Sequence, residues 1–342
     1  MLTQTKTTRR GFTLIELLVT ISIIAILASL ATWGSMRAYT RAQEFRIEQE
    51  NSQIALALEA FKTKYGFYPP SGFNYVGATV NDFIPYLNRL SPNHGELADA
   101  DGMAGGPRRI DIWWNDVGQY LNPETSLAFW LSGIAKNKQY PLTYVDNSGN
   151  VQALHGYNYV LDPSLMAAGT NAEREVFFEF NKLFKWRTSN TTGDPGAWLE
   201  PIGTIPNPYP SVAVCTQTSG RYEPIVYFSI NSLPVPSPNN SGTTLQTATN
   251  VPKWDVYLPI GPDPSVTPVP PITVGPYWGF NSATSNNEYY SAGKFQIFSP
   301  GIDGFFSATA FTSGNIAGST TNRFERDNVG NFSEGRLEKL TQ

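Results

Sequence analysis

The sequence is poor in the residues that most often carry catalytic or metal-binding chemistry. Cys215 is the single cysteine among 342 residues, so no disulfide can form within the chain. The two histidines, His94 and His155, each precede a glycine, and no His-Glu-x-x-His motif is present. A Gly-x-Ser-x-Gly motif, a phosphate-binding Gly-Lys-Ser/Thr loop and paired cysteines are missing too. The expectation is therefore a protein that is not an enzyme.

Charge is also scarce, and its balance is mildly acidic. The formal net charge is -4, and without Lys6, Arg9 and Arg10 near the amino terminus 21 basic residues remain against 28 acidic ones. Nucleic-acid binding usually requires a basic surface. No nucleic-acid partner is therefore expected.

An apolar stretch of 20 residues without charge, residues 17–36, begins directly after Glu16. A helix with about 1.5 Å of rise per residue would be roughly 30 Å long over this stretch, which matches the hydrocarbon core of a bilayer. A carboxylate at the head of a membrane helix is costly and usually functional. The pattern predicts a basic leader over residues 1–11 and a membrane or filament-core helix over residues 12–36.

Three interpretations of this amino-terminal segment are open. An ordinary signal anchor would keep the basic leader in the cytoplasm by the positive-inside rule. A cleaved secretory signal fits less well, because the apolar run is long and no Ala-x-Ala site stands clear of it. The third comes from the run Arg-Gly-Phe-Thr-Leu-Ile-Glu-Leu-Leu-Val at residues 10–19, which resembles the prepilin signal of type IV pilins and type II secretion pseudopilins.

The resemblance implies a sequence of events at three residues. A prepilin peptidase would cut after Gly11 on the cytoplasmic side, and the new terminal residue, Phe12, would be N-methylated. Glu16 would then pair with the Phe12 ammonium of a neighbouring subunit. A carboxylate in apolar surroundings gains from such a cation, so the pair would set the axial register of otherwise featureless helices. The implied partners are the peptidase, copies of the chain, other pseudopilins and an inner-membrane assembly platform.

The helix is expected to continue to Tyr65 as an amphipathic segment over residues 37–65. Its apolar residues recur at helical spacing and should pack under a globular head; they are Phe45, Ile54, Leu58 and Phe61. Gly66 and the two following prolines, Pro69 and Pro70, predict the helix end. Residues 58–69 also resemble the helix exit of major pseudopilins.

Residues 66–342 are expected to form an α+β head with an antiparallel sheet on the helix, as in pilins. Residues 71–118 are predicted to be loop-rich, with Trp113 and Trp114 in a strand-like segment that packs in the core rather than stacking on a ligand. Short helices are expected at residues 123–133 and 172–182, and strands at 224–230 and 294–299. Pro-rich loops are expected at residues 234–238 and 259–276.

The residues after the last strand contain a possible metal site. The turn Pro-Gly-Ile-Asp-Gly at residues 300–304 resembles the Gly-x-Asp-Gly loop that binds calcium in major pseudopilins. Oxygen ligands would suit calcium, and the candidates are Asp303, Asp327 and Asn328. The chain departs from the family through an inserted Ser/Thr/Gly-rich stretch at residues 307–322, and it lacks the family's cluster of acids. A plain turn is the alternative.

Two function classes follow from these patterns. One is a structural subunit of a type II secretion pseudopilus or related type IV pilus-like filament, anchored once in a bacterial inner membrane with its head in the periplasm or at the cell exterior. The other is a membrane-anchored surface binding protein, for a glycan or another ligand, or a hydrolase that uses a prepilin-type anchor. Assembly that depends on Glu16 would favour the filament subunit.

Overall fold

The structure is a computed structural model. It describes residues 12–73, 78–100, 105–121, 123–132, 134–154, 174–180, 183–188, 197–201, 211–213, 225–230, 254–256, 272–274, 278–281, 286–291, 293–302 and 329–331. Only the backbone is described at 120, 183–188, 197–201, 211–213, 254–256, 272–274, 278–281 and 286–288. The chain divides into two compact units, Met1–Gln43 and Glu44–Gln342.

The longest element is helix α1, which spans Leu14–Tyr65. It ends where predicted, because Gly66 has a φ of 80° and its amide donates to the carbonyl of Lys62 at 2.7 Å. A positive φ is readily available to glycine and closes the last helical turn. Pro69 and Pro70 follow and do not continue the helix.

The part of α1 in the second unit buries one stripe of residues. Ile47, Ile54, Leu58 and Phe61 are fully buried, and burying such a side chain contributes about 1.5–3 kcal/mol. The prediction that Phe45 packs with them is wrong, since its side chain is 57% exposed. With the buried Asn51, these residues follow one another at steps of three or four, and Phe45 lies two residues before Ile47, off that stripe.

A buried asparagine links this stripe to two strands through hydrogen bonds. Asn51 is 2% exposed, its Nδ2 donates to the carbonyl of Val329 at 3.1 Å, and its Oδ1 accepts from the Ser299 hydroxyl at 2.7 Å. Ser299 and Val329 are paired with each other across two antiparallel strands. One helical side chain therefore bonds both strands at the position where they meet.

Two further helices occupy the segment that was predicted to be loop-rich. Helix α2 spans Val80–Leu90, and helix α3 spans Arg109–Asp116. Thr79 and Asp82 start α2 as a capping box, with the Thr79 amide donating to Asp82 Oδ2 at 2.8 Å. The prediction missed α2 because Pro85 interrupts its pattern, although proline inside a helix is tolerated here.

The strand-like assignment of Trp113 and Trp114 is also wrong, because both lie on α3. The Arg108 amide donates to Asp111 Oδ2 at 3.0 Å, which satisfies an amide at the start of this helix. Trp113 is 0% exposed and Trp114 is 9% exposed, so both indoles belong to the core. A 3₁₀ turn, Gly118–Tyr120, follows.

Helix α4, Ser126–Ser132, agrees with the predicted short helix at 123–133, whereas the helix predicted at 172–182 is absent from its described part. Arg174–Glu175 form a short strand, and the amides of Phe177 and Phe178 both donate to the carbonyl of Leu131. The segment therefore satisfies its backbone by bonding across to α4 instead of along a helix.

The strands of the described residues pair only in antiparallel fashion and form six small sheets. In chain order they are β1 Ile134–Ala135, β2 Thr143–Val145, β3 Val151–Ala153, β4 Arg174–Glu175, β5 Leu183–Thr188, β6 Ala197–Pro201, β7 Ser211–Ala213, β8 Val226–Ser229, β9 Trp254–Val256, β10 Ile272–Val274, β11 Trp278–Asn281, β12 Asn286–Tyr289, β13 Phe295–Ser299 and β14 Val329–Gly330.

One of the sheets that contact α1 is three-stranded, in the order β14-β13-β8. Its β8 and β13 are the two predicted strands, and every described residue of both is buried. The Tyr227 hydroxyl donates to the carbonyl of Pro69 at 2.7 Å, which ties β8 to the chain just after α1. A long amino-terminal helix with antiparallel sheets confirms the predicted α+β, pilin-like fold class.

Candidate functional site

The amino-terminal end of α1 is organised by a threonine and a glutamate three residues apart. Thr13 precedes the first helical residue, and its amide and its hydroxyl donate to Glu16 Oε2 at 2.9 Å and 2.8 Å. The Glu16 amide lies 3.3 Å from Thr13 Oγ1, which accepts its hydrogen. This reciprocal pair is a capping box, which satisfies amides that the helix leaves without partners.

Sequence reasoning missed the role of Thr13, although the Thr-x-x-Glu spacing is a known signal for a helix start. The geometry gives Glu16 an intramolecular function that needs no neighbouring subunit. A glutamine at this position could keep the capping bonds through its amide oxygen, whereas it could not carry the negative charge. Capping and charge at residue 16 can therefore be separated by substitution.

Beyond the capping box, the apolar side chains of α1 are uncovered. Phe12 is 75% exposed, and exposures of 48% or more continue along the helix to Met36. The large apolar residues in this set are Leu14, Ile15, Leu17, Leu18, Val19, Ile21, Ile23, Ile24, Ile26, Leu27, Leu30 and Trp33. Exposed apolar patches of this extent mark a membrane or protein interaction site.

Helix α1 is long and apolar enough to cross a membrane by length and composition, and none of its most apolar window is buried. Glu16 is the only charged residue between Phe12 and Met36. The hydroxyls in this segment bond within the helix: Thr20, Ser22, Ser29, Thr32 and Ser35 donate to carbonyls three or four residues earlier. These hydroxyl donors are therefore satisfied within the helix. They need no partner from the membrane interior, which offers none.

The other predicted site residues lie outside the described residues. Gly11, on one side of the predicted cleavage point, is not described, and neither are Asp303, Asp327 and Asn328. The predicted calcium site therefore stays a prediction. Among the residues that the structure describes, no group of three or more His, Cys, Asp or Glu side chains could hold a metal ion.

Charged side chains are also buried within the head, where they hold its elements together. Glu96, which is 0% exposed, accepts from the amides of Leu142 and Thr143 at 2.9 and 3.0 Å and bonds the Thr143 hydroxyl. Arg109 Nε donates to Thr143 Oγ1 at 2.9 Å, and its guanidinium lies 3.9 Å from the ring centroid of Tyr140. The bond from Arg109 joins α3 to β2. The Glu96 carboxylate is satisfied by the backbone amides of Leu142 and Thr143.

Of the two histidine candidates, His94 is described and is held by hydrogen bonds to its neighbours. His94 Nε2 lies 2.9 Å from Asn88 Oδ1, and the Glu96 amide donates to His94 Nδ1 at 3.3 Å, which fixes a neutral ring. Burial lowers the pKa of His94, in keeping with that neutral form. His155 lies outside the described residues.

Comparison with known proteins finds one match, at the amino terminus. Residues 6–32 match the prokaryotic N-terminal methylation motif. No curated protein and no solved structure matches the chain. The motif indicates a type IV pilin-like substrate of prepilin peptidase and, together with the apolar α1, a single-pass membrane anchor.

Proposed function

We propose that the chain is a structural subunit of a type II secretion pseudopilus or a related type IV pilus-like filament. The observation that carries the proposal is the methylation motif at residues 6–32, which leads into an apolar helix whose side chains are uncovered. After cleavage following Gly11, Phe12 would carry a methylated ammonium. The uncovered helix surface would then pack against copies of the same helix.

Glu16 is the residue that would set the register of this packing. Its carboxylate is exposed in the single chain and bonded on Oε2 by Thr13. In a filament core of low polarity, an unpaired carboxylate is costly, so pairing with the ammonium of another subunit favours one axial position. The capping bonds keep the carboxylate at the helix start, where the ammonium of a neighbour would meet it.

Glu16→Gln tests this role against the simple capping role. Glutamine keeps a capping oxygen but has no charge, so the variant should fail to enter filaments if the ion pair sets the register. Thr13→Ala is the matched control, because it removes the capping hydroxyl and keeps the carboxylate. The measurement is the amount of chain in sheared or purified filaments, at equal amounts in the membrane.

If the Glu16→Gln variant assembles into filaments at the wild-type level, the register role is contradicted. Glu16 would then have its capping function alone. Mass spectrometry of the mature protein tests processing separately. We expect an amino-terminal methylated Phe12, and a chain that retains Met1 in its membrane form would contradict the filament proposal. That result would instead favour an anchored binding protein or hydrolase.

A further inference from the structure

The end of the uncharged stretch of α1 carries an aromatic–cation pair that the filament proposal does not use. The Arg37 guanidinium carbon lies 3.9 Å from the ring centroid of Trp33, one helical turn earlier. Trp33 is 59% exposed, and Met36 and Tyr39 beside it are 68% and 67% exposed. The stacked pair therefore lies on an exposed part of the helix surface, next to two other exposed side chains.

The position of this pair along the helix matches the thickness of a bilayer. With about 1.5 Å of rise per residue, Trp33 lies about 28 Å from Leu14 along the axis, close to the roughly 30 Å of a hydrocarbon core. Arg37 lies about 6 Å further, within a headgroup layer of roughly 5–8 Å on each side. Arg41 lies about 12 Å beyond Trp33, outside that layer.

The chemistry of the two side chains suits the same layer. An indole has an apolar body and one N–H donor, which is why tryptophan concentrates at membrane interfaces. A guanidinium bonds phosphate oxygens with two parallel N–H groups, and the stem of arginine can lie along apolar surface. Stacking on the ring holds the Arg37 guanidinium close to the helix instead of extended into water.

We propose that Trp33 and Arg37 form a binding surface for phospholipid headgroups, in the leaflet opposite the basic leader, that fixes the depth of α1 in the membrane. Arg37 binds the headgroup phosphate, and Trp33 lies at the boundary between headgroups and acyl chains. The surface acts on the membrane-inserted chain before any filament forms. The inference rests on membrane insertion of α1 and not on filament assembly.

Fluorescence quenching by brominated lipids tests the depth of Trp33. The full-length chain is reconstituted in phosphatidylcholine vesicles whose acyl chains carry bromine either near the headgroup or near the chain end. The difference between wild type and Trp33→Phe isolates the emission of Trp33 from that of the other tryptophans. Quenching of this difference by the shallow bromines should exceed that by the deep bromines about twofold or more, as for a residue at the interface.

Arg37→Gln and Arg41→Gln form the matched pair of variants, each measured with and without Trp33→Phe. Arg37→Gln should move Trp33 deeper and lower the ratio of shallow to deep quenching about twofold, whereas Arg41→Gln should leave the ratio unchanged. Both residues are on the exposed side of α1, and an unchanged circular dichroism spectrum checks that the head stays folded.

Three results would overturn the proposal: stronger quenching by deep than by shallow bromines, no quenching by either lipid, or equal effects of the two arginine variants. The first two would place Trp33 in the bilayer interior or in water, and the third would show that Arg37 has no special position. None of these measurements involves filaments. Failure of the lipid proposal is therefore distinguishable from failure of the filament proposal.

Discussion

Asn51→Leu should loosen the attachment of α1 to its sheet. The substitution leaves the buried Ser299 hydroxyl without the Asn51 acceptor at 2.7 Å, which costs about 1–3 kcal/mol. Loss of the bond to the Val329 carbonyl costs about 0.5–1.5 kcal/mol more. Additional apolar burial by leucine offsets roughly 1 kcal/mol of this.

The expected net destabilisation is about 0.5–3.5 kcal/mol, with a midpoint of about 2 kcal/mol, and a domain of this size loses roughly 2–4 °C of melting temperature per kcal/mol. Thermal unfolding of the full-length chain in detergent, followed by near-ultraviolet circular dichroism, should therefore show a melting temperature that is lower by roughly 6 °C at that midpoint. Ser52→Leu is the matched control on the adjacent residue, since Ser52 is exposed and its hydroxyl donates to the Glu48 carbonyl of its own helix. It should change stability by less than about 0.5 kcal/mol.

The double variant Asn51→Leu with Ser299→Ala sharpens the test. Removing the hydroxyl as well removes the buried group that lost its partner, so the double variant should recover part of the melting temperature. If the Asn51→Leu variant has the same melting temperature as the Ser52→Leu control, the two buried hydrogen bonds contribute nothing measurable to stability. If the double variant melts lower than Asn51→Leu, the hydroxyl is satisfied elsewhere and the assigned cost is wrong.

Two further predictions concern the head. Gly118→Ala should destabilise it by about 1–3 kcal/mol, because the added methyl would lie 2.6 Å from Cζ3 of the buried Trp113; a melting temperature equal to that of wild type would show that the indole moves aside without cost. Asp111→Asn should cost about 0.3–1 kcal/mol at neutral pH, since hydrogen bonds from Arg108 lower the pKa of Asp111 from 3.8. That stability is present above the unfolded pKa and is lost as pH falls through the lowered folded value, so the difference in melting temperature between wild type and variant should shrink in acid.

Local patterns in the sequence were sufficient to predict the long amino-terminal helix. Uncharged length, Gly66 and the prolines predict the extent of α1, because helix formation and termination depend on neighbouring residues. The motif around Gly11, Phe12 and Glu16 is likewise a local pattern. The Thr-x-x-Glu spacing also predicts the capping role of Thr13. That role was missed because Glu16 was interpreted only through its charge.

The tertiary structure alone decided which polar groups are buried and which strands meet. Nothing near Asn51 in the chain indicates that it bonds Ser299 and Val329, which lie more than two hundred residues away. Because glutamate is charged, Glu96 would be expected on the surface. It is instead buried, and it accepts hydrogen bonds from backbone amides distant in the chain. Burial of a polar side chain depends on partners that the fold brings together, so no periodicity in the sequence reveals it.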